Sequence, residues 1–144
     1  MAELLANRVL VVPLAAWLVS QCLKVVLGWL IDRRVTWSYF TTSGGMPSSH
    51  SALVAAVATA IGRQSGVGSP LFGAAVIFSV IVMYDAAGVR RTVGTHAKVL
   101  NMLLDEFFVR HQIDEARLRE LVGHTPTQVA AGALLGMTLA LLLA

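Results

Sequence analysis

Val9-Leu-Val-Val-Pro-Leu-Ala-Ala-Trp-Leu-Val-Ser-Gln-Cys-Leu-Lys-Val-Val-Leu-Gly-Trp-Leu-Ile31 carries a single charge, Lys24. About 20 apolar residues suffice to cross the hydrocarbon core of a bilayer, so this run reads as a membrane helix. Nothing after it resembles a cleavage site, which separates it from a cleavable signal. The rest of the chain agrees: of 144 residues 56% are apolar and 13% charged, with a mean hydropathy of +0.72. Eleven Lys+Arg and eight Asp+Glu cannot give every helix a charged outer face, which excludes an ordinary water-soluble domain. The length predicts one membrane-embedded domain, 1–144, with about four crossings. The lone Cys22 excludes an intrachain disulfide and a cysteine metal cluster, and its place in mid-run reads as a buried small hydrophobe. Net charge is +3 and the isoelectric point about 9.6, but the basic residues are scattered rather than gathered into a stripe with aromatics. No nucleic acid partner is therefore expected; anionic lipid or phosphate is.

Outward from the first span, the basic pair Arg33 and Arg34 is followed by a loop, Tyr39-Phe-Thr-Thr-Ser-Gly-Gly-Met46, too rich in Thr, Ser and Gly to continue a helix. Pro47-Ser-Ser-His50 opens the next element, with Ser48 or Ser49 as cap and an Ala- and Val-rich run to Gly62. Arg63 to Pro70 is a turn. Leu71 to Tyr84 is uncharged and continues through Asp85 toward Val89, the third crossing. From Asp85 to His124 charges return, and this part is expected outside the membrane or on its surface. There Ala97, Leu100, Leu104, Phe107 and Phe108 recur at helical spacing opposite Lys98, Asn101 and Asp105, predicting an amphipathic helix over Val93 to Arg110 that lies flat at the interface. Asp114 reads as the cap of a further short helix, with Ile113 and Leu118 as its staple and Gly123 as its terminator. Thr125 as cap and Pro126 at the first helical position start a last apolar helix to Ala144. Its Gly132-Ala-Leu-Leu-Gly136 spacing invites close approach of a neighbouring helix, more often within a bundle than between chains. The fold class predicted is an all-α integral membrane helical bundle of about four spans plus an interfacial helix.

If the spans alternate up and down, as short connections require, one membrane face collects the unusual residues. Lys24 lies near the end of span one with Arg33 and Arg34 beyond it, and His50 starts span two. Asp85, Arg90 and Arg91 end span three, and His124 precedes span four. The opposite face holds Glu3, Arg8 and Arg63. Two helix N-termini, after Pro47 and after Thr125, turn N–H groups toward that face and favour an anion. Guanidiniums and Lys24 favour phosphate, and two histidines permit one to attack phosphorus while the other protonates the departing oxygen. Plainer roles compete: Arg33 and Arg34 as topology determinants, Lys24 snorkelling to the interface, Pro-Ser-Ser-His and His124 as parts of helix caps, Asp85 in a salt bridge to Arg90 or Arg91. An acid ending an apolar span is costly unless paired and is by default a functional candidate. His96 and His111, on the surface segment, receive no role. The conjunction on one face, which independent caps and anchors would not often produce, favours the phosphate pocket.

Three blocks, Gly44-Gly-Met-Pro-Ser-Ser-His-Ser-Ala52, Tyr84-Asp-Ala-Ala-Gly-Val-Arg-Arg91 and Gly123-His-Thr-Pro-Thr-Gln-Val-Ala-Ala-Gly132, resemble the small, divergent bacterial and plant branch of the type 2 phosphatidic acid phosphatase superfamily, related to acid phosphatases and vanadium-dependent haloperoxidases. The similarity runs from Lys24 to Gly136. It implies His124 as a nucleophile that forms a phosphohistidine and His50 as general acid, with Lys24, Ser48 and the arginines on the phosphoryl oxygens. It implies neither metal nor cofactor. Three departures stand out. Ser49 replaces the glycine of the second motif. Neither Arg33 nor Arg34 keeps the usual spacing from Lys24, and with no arginine at the usual place before His124, Arg90 or Arg91 must substitute. Gln128 stands four residues after His124, where the main superfamily has Asp. An amide can orient an imidazole but cannot stabilise its positive charge. Either Asp85 supplies that charge, or the nucleophile is weak, or the protein binds phosphate without turnover.

The function expected is slow hydrolysis of a membrane-embedded lipid or isoprenoid phosphate or pyrophosphate, in a pocket opening at headgroup depth in a bacterial cell membrane. The pocket face carries most Lys and Arg, which by the charge-asymmetry rule makes it cytoplasmic. The rival is a non-catalytic membrane protein that binds anionic headgroups or a partner, favoured by Gln128. Haloperoxidase chemistry and transport fit less well, because a chain of four short spans builds only a small pocket and little pathway. Four helices enclose little alone, which leaves monomer and homodimer open.

Overall fold

The computed structural model describes residues 2–32, 45–108 and 124–144, of which 31–32, 89–91 and 104–108 by backbone only. Arg33, Arg34, the loop up to Gly44 and the short helix expected after Asp114 lie outside these. The described residues are all-helical: α1 (Ala2–Ala6), α2 (Arg8–Asp32), α3 (Ser49–Ser65), α4 (Pro70–Ala87), α5 (Val89–Phe108) and α6 (Pro126–Leu143). Three stretches are long and apolar enough to cross a membrane: Arg8–Leu30, Pro70–Leu103 and Pro126–Leu143. The fourth expected span, α3, has 17 residues and is the most enclosed, packing against α2, α4 and α6.

Local chemistry sets the ends. Ser48 caps α3 by accepting from Ser51 N, and the helix runs past Gly62 to Ser65, where Gly66 with φ +83° stops it. The turn expected from Arg63 therefore begins later. Ser69 caps α4 with Pro70 at its first position, and Thr125 and Pro126 repeat the device on α6. α4 passes into α5 through Gly88 alone, earlier than the expected start at Val93.

The spans alternate in direction. At one end Arg8 of α2 donates to the Leu143 and Ala144 oxygens of α6, and Arg63 of α3 donates to Leu141 O. At the other, the start of α3 bonds the first turn of α6 (Ser48 N to Gln128 O, 3.0 Å), and His124 N donates to Ala86 O on the last turn of α4 at 3.0 Å. Thus α3 and α6 run parallel, with α2 and α4 opposed to them.

Between these ends the core is made of small residues. Val12 and Ala16 of α2 meet Ala56 and Ala140, while Ala58, Ile61 and Ala75 form a second cluster with Phe72 and Val76 against it. Leu10, Leu14, Leu18, Ile77, Phe78, Ile81, Leu134 and Leu142 are exposed instead. Lipid is as apolar as leucine, so large side chains gain nothing by facing inward, whereas small ones let backbones approach. Ser79 adds a polar tie, donating to Val54 O at 2.9 Å and to Ala75 O at 2.7 Å. Closest of all are α3 and α6: a Cβ on Gly132 would overlap the Ser48 carbonyl, and one on Gly136 the Ala52 carbonyl. The glycine pair is spent on packing inside the bundle.

Two expectations are corrected. Cys22 is exposed, not buried; at about 100° per residue it stands roughly 200° around α2 from Lys24, and it is the Lys24 face that turns inward. On α5 the buried stripe is Gly94, Ala97 and Asn101, while Leu100 is exposed. The packed face is the small-residue one, and Asn101, expected outside, goes in with it.

Gly132→Ala or Gly136→Ala is expected to lower stability in detergent by about 1–3 kcal/mol, because a backbone carbonyl must move. Gly73→Ala, where nothing lies within 4 Å of the added carbon, should leave the melting temperature unchanged or raise it. Thermal unfolding of the three variants checks both.

Candidate functional site

The polar residues buried at the Ser48 end come from three helices. On α2, Lys24 is only 4% exposed, and its ammonium donates to Ser49 Oγ at 3.0 Å. It is not snorkelling: its stem runs inward past Gly45, whose φ of +93° only glycine adopts without strain and whose Cβ position lies 3.9 Å from Lys24 Cδ. The cis Met46–Pro47 bond then leads into α3. There Ser48 and Ser51 share a hydroxyl hydrogen bond of 3.0 Å, Ser49 is buried, and His50 is half-buried in the first turn.

His124 is 1% exposed and held through its backbone by Ala86 of α4, immediately before the cap of α6. Its ring lies 6.1 Å from that of His50, centroid to centroid, at 60°. Residues far apart in sequence thus meet at one end of the bundle, beside the N-termini of two parallel helices.

Gln128 has two partners at once. Its Oε1 accepts from Thr125 N at 3.0 Å, completing a capping box in which Thr125 Oγ1 accepts from Gln128 N. The same oxygen stands 3.3 Å from His124 Nδ1. A backbone N–H can only donate, so the amide must present oxygen on that side. His124 Nδ1–H is then the donor, and in the neutral ring the lone pair sits on Nε2. The cap of α6 therefore sets the tautomer of the buried histidine.

Of the residues picked out in the sequence, the structure brings together Lys24, Ser48, Ser49, His50, His124 and Gln128. Asp85 is half-buried on the last turn of α4, next to Ala86. Arg90 and Arg91 open α5 and are described by backbone only; Arg33 and Arg34 lie outside the described residues. Sequence reasoning missed Ser20 and Gln21, buried on α2 at 0% and 6% exposure. Their spacing of four and three residues before Lys24, on one helical face, was the available signal.

Comparison with known proteins follows the same lines. A family model described as Divergent PAP2 family matches residues 5–139. A Bacillus subtilis (strain 168) protein named uncharacterized membrane protein YuiD is 42% identical, over 99% of this chain and 97% of its own length. No solved structure matches.

With ¹⁵N-labelled histidine, neutral His124 should show the Nδ1–H tautomer. Gln128→Leu should lose that preference and Gln128→Glu should keep it, since a glutamate at this position closes the same capping box. An Nε2–H ring in the unsubstituted protein would contradict the assignment.

Proposed function

The chain belongs to the divergent PAP2 family, and on that footing we propose that it is a membrane phosphatase that hydrolyses a lipid phosphate or pyrophosphate through a phosphohistidine. The observation that carries this reading is the His50–His124 pair, 6.1 Å apart beside the buried Lys24. Rings this close can reach one phosphoryl group together, one at the phosphorus and the other by a hydrogen bond to the leaving oxygen.

In the proposed reaction His124 Nε2 attacks phosphorus as the bond to the leaving oxygen breaks, and imidazolium His50 gives that oxygen a proton. Water then attacks the phosphohistidine, neutral His50 takes the water's proton, and phosphate leaves with His124 restored. Lys24, the Ser48 and Ser49 hydroxyls and the N–H groups opening α3 would hold the phosphoryl oxygens, with Arg90, Arg91, Arg33 and Arg34 as further candidates. Most of the acceleration in such a site comes from fixed charge and position. Gln128 orients His124 without neutralising it, and Asp85 is the candidate acid for that purpose, one residue from the carbonyl that pins His124.

A second reading is favoured by Gln128 itself: a protein that binds a phosphorylated headgroup in the same hollow and does not turn it over. The two separate by assay. Purified protein given phosphatidate and prenyl phosphates in detergent should release phosphate, His50→Ala should reduce the rate about 10²–10⁴-fold, and folded His124→Ala should fall to background. Equal release from the unsubstituted protein and His124→Ala would defeat the enzyme reading.

A further inference from the structure

The helix lengths fix how deep this site lies. Arg8 and Arg63 mark the opposite end of the bundle, held there by the oxygens at the end of α6. At 1.5 Å per residue, Arg63 is about 21 Å along α3 from Ser49, and Arg8 about 24 Å along α2 from Lys24. The hydrocarbon core is about 30 Å thick, so Lys24, Ser49 and His50 stop about 6–9 Å short of the near boundary. The other end of α2 gives an independent measure. Beyond Lys24 the helix continues without a charge to Asp32, and Val26, Leu27, Trp29 and Leu30 are exposed along it. Trp29, a residue type concentrated at the membrane–water boundary, stands about 7.5 Å above Lys24 and Asp32 about 12 Å above it. A tilt of about 20° shortens these projections by only about 6%.

We infer that the His50–His124 site is sunk about 6–9 Å inside the hydrocarbon layer and is reached from within the lipid, by a phosphate carried on a lipid tail, rather than from the water. The ligand's identity rests on the phosphate reading above; the depth does not. This is deeper than the headgroup level expected from the sequence. A phosphodiester bearing a further polar headgroup would have to bury that group as well, at a further desolvation cost. A terminal phosphate buries only the charge that Lys24 and the two helix N-termini compensate.

The exposed native Cys22, two residues from Lys24, supplies the depth probe. A nitroxide on Cys22 of the full chain in phosphatidylcholine vesicles, read by collision with oxygen against a water-soluble nickel chelate, should lie about 9–12 Å below the hydrocarbon boundary. Trp29→Cys in a Cys22→Ser background should lie at the boundary. A Cys22 label at headgroup level overturns the inference. The source of the phosphate is tested separately in detergent. Phosphatidate should raise the melting temperature by about 3 °C or more, an effect lost in Lys24→Met, while glycerol phosphate and inorganic phosphate should not. Equal protection by glycerol phosphate overturns entry from the lipid. If Cys22 is deep and none of the three protects, the recess stands and it is the phosphatase reading that fails.

Discussion

Contact between α3 and α6 through Gly132 and Gly136 is the constraint on which the rest depends. The glycines lie against the Ser48 and Ala52 carbonyls so closely that no Cβ fits, and the two helices run in the same direction. Parallel neighbours align their dipoles, placing two positive N-termini side by side, an arrangement that is unfavourable by itself. Packing enforces it, and what it produces is a place where an anion is worth more than at either helix end alone. Lys24, brought in from α2, adds to the same excess of positive charge.

Burying that lysine needs a physical account, since a charge at membrane depth is costly without partners. The Ser49 hydroxyl meets the ammonium at 3.0 Å, and Ser48, Ser51, Ser20 and Gln21 make the surrounding interior polar. These residues share one half of the bundle, while the half toward Arg8 is packed with alanine, valine and isoleucine. Among the described residues most of the buried polar groups share the half of the bundle that holds the two histidines, and the small apolar residues elsewhere give the close packing that holds them there.

Much of this was legible from residue types. Uncharged runs gave the spans, Ser48, Thr125 and Pro126 the helix starts, and the glycine pair a close contact inside the bundle. Alternating direction then sent His50, His124 and Lys24 to one end without reference to any motif. What was not legible depended on rotation and on third partners. Cys22 faces outward because Lys24 faces inward, and a uniformly apolar helix carries no moment to say which side packs. On α5, spacing set Asn101 opposite Ala97, yet both are buried, because the side that packs in lipid is chosen by small residues and not by large apolar ones. The double use of Gln128 needed coordinates, since spacing alone gives a capping box or an oriented imidazole but not one oxygen serving both.

That double use bears on why an amide stands where the main superfamily carries an acid. A carboxylate in the first turn of α6 would interact favourably with the helix dipole and would stabilise a charged His124. Both gains would come from neutralising the positive charge that the parallel helices assemble. Gln128 keeps the cap and the tautomer while leaving that charge for a ligand. On the proposed reading, such a site would favour holding an anion over rapid formation of an imidazolium. A phosphate drawn to the inferred depth would lose its water on the way, and the positive charge left by an amide at position 128 would offset part of that loss.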